Sequence, residues 1–201
     1  MIKAVCFDLD GVYFTPKGME MFKNMLSAVG ISQEKIDLVL YKSEQMKLFK
    51  LGKISEEEFW NFARDEWNIS IPISMISELI VQNYEIDPDL DNLVKQLREK
   101  GIKTCLCSNN HKTKIEGLEN KFHFLQNFDL AIFSYKEGVL KPDKEIFQRL
   151  INKLEVKPEE LVYSDDNELR LTGAKELGIN TFVYNGFEKF KVNLEKLGIE
   201  L

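Results

Sequence analysis

The order of apolar and polar positions divides the chain into a short opening strand, a long helical block and a regular alternation of strands and helices. Val5-Cys6-Phe7 is an apolar run of β-branched and aromatic character that passes directly into Asp8-Leu9-Asp10-Gly11. Such a run reads as a buried strand with carboxylates at its C-terminal end. Side chains alternate along a strand, so Asp8 and Asp10 are expected to start on the same side unless the backbone bends at Gly11. From Gly18 the period becomes helical. Met21, Met25, Leu26 and Val29 are spaced for one face, Gly30 offers a stop, and residues 32–49 carry a second helical pattern through Ile36, Leu40 and Tyr41. Ser55 followed by three glutamates is a helix start with Glu58 at the capping-box position, and residues 74–84 form another helix entered after Ile71-Pro72.

After Asp87-Pro88 the chain alternates. Residues 89–100, 113–120, 143–154, 168–177 and 187–197 read as helices, and 102–107, 128–134, 161–164 and 180–184 as strands. Strands separated by helices imply right-handed crossovers and a parallel sheet covered on both faces. With the opening strand the sheet has five members, giving an α/β, doubly wound core from residues 1–14 and 88–201 that is interrupted by an all-helical insertion over 15–87. No internal repeat or low-complexity tract is visible.

Composition narrows the partners. With 44% hydrophobic and 30% charged residues in 201, the chain is that of an ordinary globular protein. A formal net charge of -6 argues against nucleic acid bound on a basic face. Cys6, Cys105 and Cys107 each sit in an apolar strand and read as small buried hydrophobes of a reducing compartment. The sequence opens directly on the first strand, and no apolar run approaches a membrane span, so a cytoplasmic location and no membrane partner are expected.

In an open parallel sheet, ligands sit beyond the C-terminal ends of the strands. The first strand ends in Asp8 and Asp10. The second ends in Ser108-Asn109-Asn110, the third is followed by Lys141-Pro142, and the fourth ends in Asp165-Asp166. Each alone has a bland explanation as a turn, a helix cap or a solvated charge. Four such endings on one sheet edge are harder to dismiss. Two carboxylates about 4 Å apart repel by roughly 4 kcal/mol at an effective dielectric of 20, and four acids converge here. A hard divalent cation with oxygen ligands relieves that repulsion. Mg²⁺ fits because it keeps waters and accepts a phosphate oxygen.

The ordered set Phe7-Asp8-Leu9-Asp10-Gly11-Val12, Ser108-Asn109, Lys141-Pro142 and Asp165-Asp166 resembles the four motifs of the haloacid dehalogenase superfamily, whose phosphohydrolases use an aspartate nucleophile. The resemblance spans nearly the whole chain and implies a Rossmann-like core with a helical cap inserted after the first strand. It implies that Asp8 is the nucleophile and forms an aspartyl-phosphate, and that Asp10 protonates the leaving oxygen and then activates water. Ser108 and Asn109 would hold phosphate oxygens, and Lys141 would hold nucleophile and phosphate together. Mg²⁺ would be bound by the Asp8 carboxylate, the backbone carbonyl of Asp10 and Asp166, with Asp165 as a further ligand or as support behind it. Arg170 departs from the asparagine common in relatives, and Lys144 stands where a second proline is common.

The expected activity is a Mg²⁺-dependent phosphatase acting on a small phosphorylated metabolite such as a sugar phosphate. A phosphomutase shares every motif. A dehalogenase is disfavoured by Asp10 and Asp165-Asp166, a receiver-like signalling domain by the helical insert, and a silent interaction module by the complete site. Specificity is expected from the insertion, with Tyr13, Tyr41, Lys42, Lys47 and Trp60 as candidates. Trp60 also suits the insertion's own core and the lysines a solvated surface. His111 and His123 are expected in surface loops.

Overall fold

The computed structural model describes residues 1–201. Five parallel strands form one sheet: β1 (Ala4–Phe7), β2 (Lys103–Ser108), β3 (Leu130–Phe133), β4 (Leu161–Asp165) and β5 (Asn180–Val183). They lie in the order β3-β2-β1-β4-β5. The central strand β1 is buried along its whole length, as a strand covered on both faces must be. Phe7 is in register with Leu106 of β2 and Ser164 of β4, so Asp8, Ser108 and Asp165 all emerge at the same edge.

Alternation along β1 sends its side chains into two cores. Val5 and Phe7 join Leu90, Leu93, Val94 and Leu97 of α6 (Pro88–Glu99) and Phe190 and Leu194 of α11 (Phe187–Lys196). Ala4 and Cys6 join Cys105, Cys107 and the Ile146-Phe147-Leu150 face of α9 (Lys144–Leu154). All three cysteines are buried free thiols, in line with their apolar setting in the sequence. No helix is long and apolar enough to cross a membrane.

Between β1 and α6 run α1 (Lys17–Ala28), α2 (Gln33–Asp37) with a π-helical turn at Leu38–Lys42, α3 (Glu44–Lys50), α4 (Glu56–Trp67) and α5 (Ile73–Gln82). They have their own apolar core, which includes Phe22, Leu26, Ile36, Phe49, Trp60 and Ile80. The chain enters and leaves this insertion through two segments that bond to each other. The Thr15 N–H donates to the Glu85 carbonyl at 2.9 Å, and the Asp87 N–H to the Tyr13 carbonyl at 2.9 Å.

Two helical expectations change in detail. The buried face of α1 is Gly18, Phe22 and Leu26, while Met21 and Val29 are exposed. Gly18 is selected by contact, since a Cβ there would lie 2.2 Å from the Tyr84 ring. The pattern over 32–49 is not one helix. Ser43 leaves helical geometry at ψ 146°, and its hydroxyl accepts from the Met46 N–H at 3.1 Å, starting α3 afresh. The capping box of α4 forms as expected: the Glu58 N–H donates to the Ser55 hydroxyl and the Ser55 N–H to the Glu58 carboxylate.

Candidate active site

Asp8 follows β1 directly and is 1% exposed. Its N–H donates to the Ser164 carbonyl at 2.8 Å, extending the ladder by one bond and fixing where the carboxylate stands. The Lys141 ammonium lies 2.9 Å from Oδ1, and Arg170 Nη1 lies 3.5 Å from Oδ2. Lys141 is itself fully buried. It also donates to Asp165 at 2.6 Å and to the Tyr163 hydroxyl at 2.7 Å, while Asp8 Oδ1, though within ion-pair distance, receives no hydrogen bond. Tyr163 in turn donates to Asp165 at 2.6 Å. Burial pushes the Asp8 carboxyl above its ordinary value even though Lys141 draws it down. For Asp165 burial is outweighed by Lys141, and its carboxyl is held below the usual carboxylate range.

The loop bearing Lys141 is held by Asn109. The Asn109 amide donates to the Lys141 carbonyl at 2.9 Å, and its oxygen accepts from the Lys141 N–H at 2.8 Å. Asn109 was expected to meet phosphate directly. Its carboxamide is instead used mainly to position the lysine, leaving one amide hydrogen for a ligand. Ser108 ends β2 one strand away from Asp8 and is 1% exposed.

Asp10 does not share Asp8's surroundings. The chain turns sharply at Gly11, which has φ +78°, and Phe14 N–H closes the turn onto the Leu9 carbonyl at 2.8 Å. The Asp10 carboxylate therefore faces α7 (Lys112–Phe122), where Lys114 meets both its oxygens at 2.6 and 2.7 Å and the Asn110 amide donates to it at 2.8 Å. Desolvation works to raise this carboxyl, but Lys114 prevails and holds it below the ordinary value.

Asp166 is the exposed member of the acidic group. Oxygens of Asp8, Asp165 and Asp166 lie within 4.8 Å of one another. A Cβ on Gly11 would stand 2.6 Å from Asp166 Oδ2, which sets that carboxylate against the backbone beside Asp10. Partial desolvation and the neighbouring Asp8 charge push the Asp166 carboxyl up to about 6. The two oxygens of Asp165 are already engaged by Lys141, Tyr163 and the Asn167 N–H.

A cavity of about 400 Å³ runs from Asp10, Asp166 and Arg170 to the insertion. Several of its residues escaped the sequence reading. Lys114 is buried on the same helix face as Leu118, and a lysine in the apolar stripe of a helix was the available signal. Lys50 lies one turn beyond buried Met46 and lines the cavity without a carboxylate at ion-pair distance. Its backbone carbonyl accepts from the Ser134 hydroxyl at 2.6 Å. Desolvation, then the charges of Lys114 and Arg170, draw its ammonium down to about 8.

His111 is not on a surface loop. It is 4% exposed, stacks on Phe49 at 4.4 Å and caps α7 by accepting from the Lys114 N–H. Burial holds its imidazolium well below the ordinary value, so it is neutral near pH 7. His123 is exposed, as expected. Of the specificity candidates, Tyr41 and Trp60 line the cavity. Tyr13 is buried in the main core, donating to Asp91 at 2.8 Å, and Lys42 and Lys47 are exposed outside the lining.

A five-stranded parallel sheet carries an ordered set of acids, a lysine and a hydroxyl at one edge of a doubly wound α/β core. A family model for haloacid dehalogenase-like hydrolases matches residues 2–178, and the chain belongs to that family. An uncharacterized protein of Dictyostelium discoideum is 29% identical over 96% of this chain and 98% of its own length. Sesquiterpene phosphatase astK of Aspergillus oryzae is 23% identical over 88% of this chain and 87% of its own length. The structure of a HAD family enzyme from Bacteroides thetaiotaomicron in complex with magnesium and inorganic phosphate superposes with a TM-score of 0.74 at 25% identity, covering 90% of this chain and 93% of that one. Some relatives are longer: the chain spans 39% of bifunctional epoxide hydrolase 2 of Mus musculus.

Proposed function

We propose that this hydrolase is a Mg²⁺-dependent phosphomonoesterase that works through an aspartyl-phosphate on Asp8, with the helical insertion acting as a cap over the cavity. The observation that carries the reading is the state of Asp8: a buried carboxylate between Lys141 and Arg170, with Asp166 beside it. The magnesium and phosphate bound by the Bacteroides relative and the phosphatase name of the Aspergillus relative support it.

The donor set suits a hard cation. All candidate ligands are oxygens, and the carboxyls of Asp8 and Asp166 are both raised, chiefly by desolvation and further by the neighbouring carboxylate charges, which a bound cation would offset. Asp8, Asp166 and the backbone carbonyl of Asp10 would hold Mg²⁺, while Asp165 holds Lys141. When bound, the ion supplies charge neutralisation and orientation of phosphate.

The protein's own groups divide the chemistry. Asp8 attacks phosphorus, forming the Asp8 oxygen–phosphorus bond as the bond to the leaving oxygen breaks. Asp10 is ionised in its pair with Lys114, so the proton for the leaving oxygen passes through Asp10 from the Lys114 ammonium, and the pair recovers one from the water that then attacks the aspartyl-phosphate. Over a turnover the Asp10–Lys114 pair ends as it began, and Asp8 is released as a carboxylate. Lys141 and Arg170 neutralise Asp8 as the phosphate dianion approaches, and Ser108 with the remaining Asn109 amide hydrogen holds phosphate oxygens.

Lys50 supplies the charge not yet paired. Lys50→Met is expected to raise KM about tenfold, equivalent to roughly 1.4 kcal/mol, with a smaller change in kcat. Lys50 is protonated below and neutral above about pH 8, with desolvation first and then Lys114 and Arg170 lowering it and Asp10 and Asp8 opposing them. Wild-type kcat/KM should therefore fall as pH rises through that value. A fall that persists unchanged in the variant contradicts the assignment.

Phosphate release from a panel of phosphomonoesters, with Mg²⁺ and with a chelator, tests the activity. Activity that survives chelation sinks the metal requirement. Isomerisation of sugar phosphates without net phosphate release favours the mutase, and halide release from a 2-haloacid favours the dehalogenase.

A further inference from the structure

The insertion meets the core at the end of α3, over Phe49-Lys50-Leu51-Gly52. Phe49 stacks on His111, and Gly52 lies so close to the core that a Cβ there would stand 2.3 Å from the Tyr135 carbonyl oxygen. Between these contacts the Lys50 carbonyl belongs to the last turn of the helix, where no partner within the helix remains for it. It accepts from the Ser134 hydroxyl at 2.6 Å. Ser134 follows β3 and is fully buried. The same hydroxyl oxygen accepts from the Asn110 N–H at 3.0 Å. A hydroxyl has a single hydrogen, and the Asn110 carbonyl at 3.1 Å has the weaker hold on it, so Ser134 gives its hydrogen to the insertion and a lone pair to the loop after β2. That loop reaches the proton-carrying residue. The Asn110 carboxamide accepts from the His111 N–H at 3.3 Å and donates to the Asp10 carboxylate at 2.8 Å.

We propose that Ser134 is a positioning residue for the hydrolysis, through which one hydroxyl places both the Lys50 ammonium in the cavity and the Asn110 amide on Asp10. The inference rests on the phosphatase reading of the Asp8 site, with Asp10 carrying the proton. Ser134 itself has no surface toward the cavity and acts only through its two neighbours. Through Lys50 it bears on binding, and through Asn110 on proton transfer. A displacement on the order of 1 Å at such a group costs up to about 10²-fold in rate. A purely structural role would act differently, since a less stable protein supplies less folded enzyme and leaves KM where it was.

Ser134→Ala deprives the Asn110 N–H and the Lys50 carbonyl of their shared partner. With the best ester of the phosphomonoester panel and Mg²⁺, kcat should fall about tenfold and KM rise roughly threefold. Two double-variant cycles separate the arms. Lys50→Met keeps the carbonyl and removes the ammonium, so in that background Ser134→Ala should lower kcat as before and leave KM unchanged. Asn110→Ala has already lost the Asp10 contact, so in that background Ser134→Ala should raise KM as before and leave kcat unchanged. Ser134→Cys fills the position with a weaker donor and acceptor, should fall between serine and alanine in both constants, and carries the same cycles should the alanine variant not fold. Wild-type kcat and KM in Ser134→Ala, or an effect that adds in full in either background, overturns the proposal.

Calorimetric titration of inorganic phosphate with Mg²⁺ into Asp8→Asn, with and without Ser134→Ala, reads the Lys50 arm without turnover. The expected loss of affinity is roughly threefold and should vanish when Lys50→Met is added. That result beside a wild type that releases phosphate from no ester defeats the phosphatase reading alone. Phosphate release by the wild type with a Kd that Ser134→Ala leaves unchanged defeats the Ser134 proposal alone.

Discussion

Asp8→Asn is expected to abolish phosphate release, with a loss of at least about 10⁴-fold in kcat, the scale seen when a covalent nucleophile is removed. Asparagine retains the shape of the buried side chain but cannot donate an electron pair to phosphorus as a carboxylate does. Stability should change little, because Lys141 keeps its contacts with Asp165 and Tyr163. The measurement is phosphate release under saturating substrate and Mg²⁺, beside a thermal unfolding curve. Substantial residual activity in a folded Asp8→Asn protein removes Asp8 from the chemistry.

Lys141→Met is expected to damage both fold and activity. Lys141 is the cation buried between Asp8 and Asp165, and methionine has nearly its length without its charge. Removing one partner from a buried charge cluster costs about 3–5 kcal/mol because the remaining carboxylates lose their compensation. For a chain of this size that is a drop on the order of 10 °C in melting temperature. The sign with pH follows from Asp165. Lys141 holds its folded-state carboxyl below the usual range, so the stabilisation is present above the ordinary carboxylate value and lost as pH falls through the depressed one. The wild type and Lys141→Met should therefore differ most near neutrality and converge in acid. Urea unfolding at several pH values checks this, and equal stability at pH 7 contradicts it.

The two predictions involve residues that the sequence displays openly, and the reason is topological. A parallel sheet brings the ends of its strands to one edge, so Asp8, Ser108 and Asp165 are neighbours as soon as the strands are recognised. The short apolar runs and the alternation of strands with helices after Asp87 made the strands readable, and the capping box at Ser55 marked a helix start to the residue. Ser43 was harder, because the apolar period continues past it and only the competing serine hydroxyl breaks the helix.

The residues that escaped are those whose partners lie across the fold. Lys114 meets Asp10 at a separation of 104 positions, and the Lys50 carbonyl meets Ser134 across 84. Nothing local distinguishes such lysines from solvated ones except their place in an apolar stripe. His111 looked like a loop residue because it follows two asparagines, yet Phe49 of the insertion stacks on it. Arg170 was visible as a departure from relatives, but its nearness to Asp8 depends on the turn that follows β4. Tyr13 misled in the opposite sense. Its aromatic ring beside the acidic motif suggested substrate contact, whereas its hydroxyl is bound to Asp91 inside the core.

The central claim is that a phosphoryl group passes through Asp8. Borohydride reduces an aspartyl-phosphate to homoserine and leaves an ionised or protonated aspartate untouched. Wild-type protein turning over a phosphomonoester with Mg²⁺ should be quenched with borohydride, digested, and the peptide containing Asp8-Leu9-Asp10 sequenced by mass spectrometry. Homoserine at position 8, absent without substrate and absent without Mg²⁺, is the predicted result. Phosphate release accompanied by homoserine at another position, or by an unmodified Asp8 throughout turnover, would contradict it.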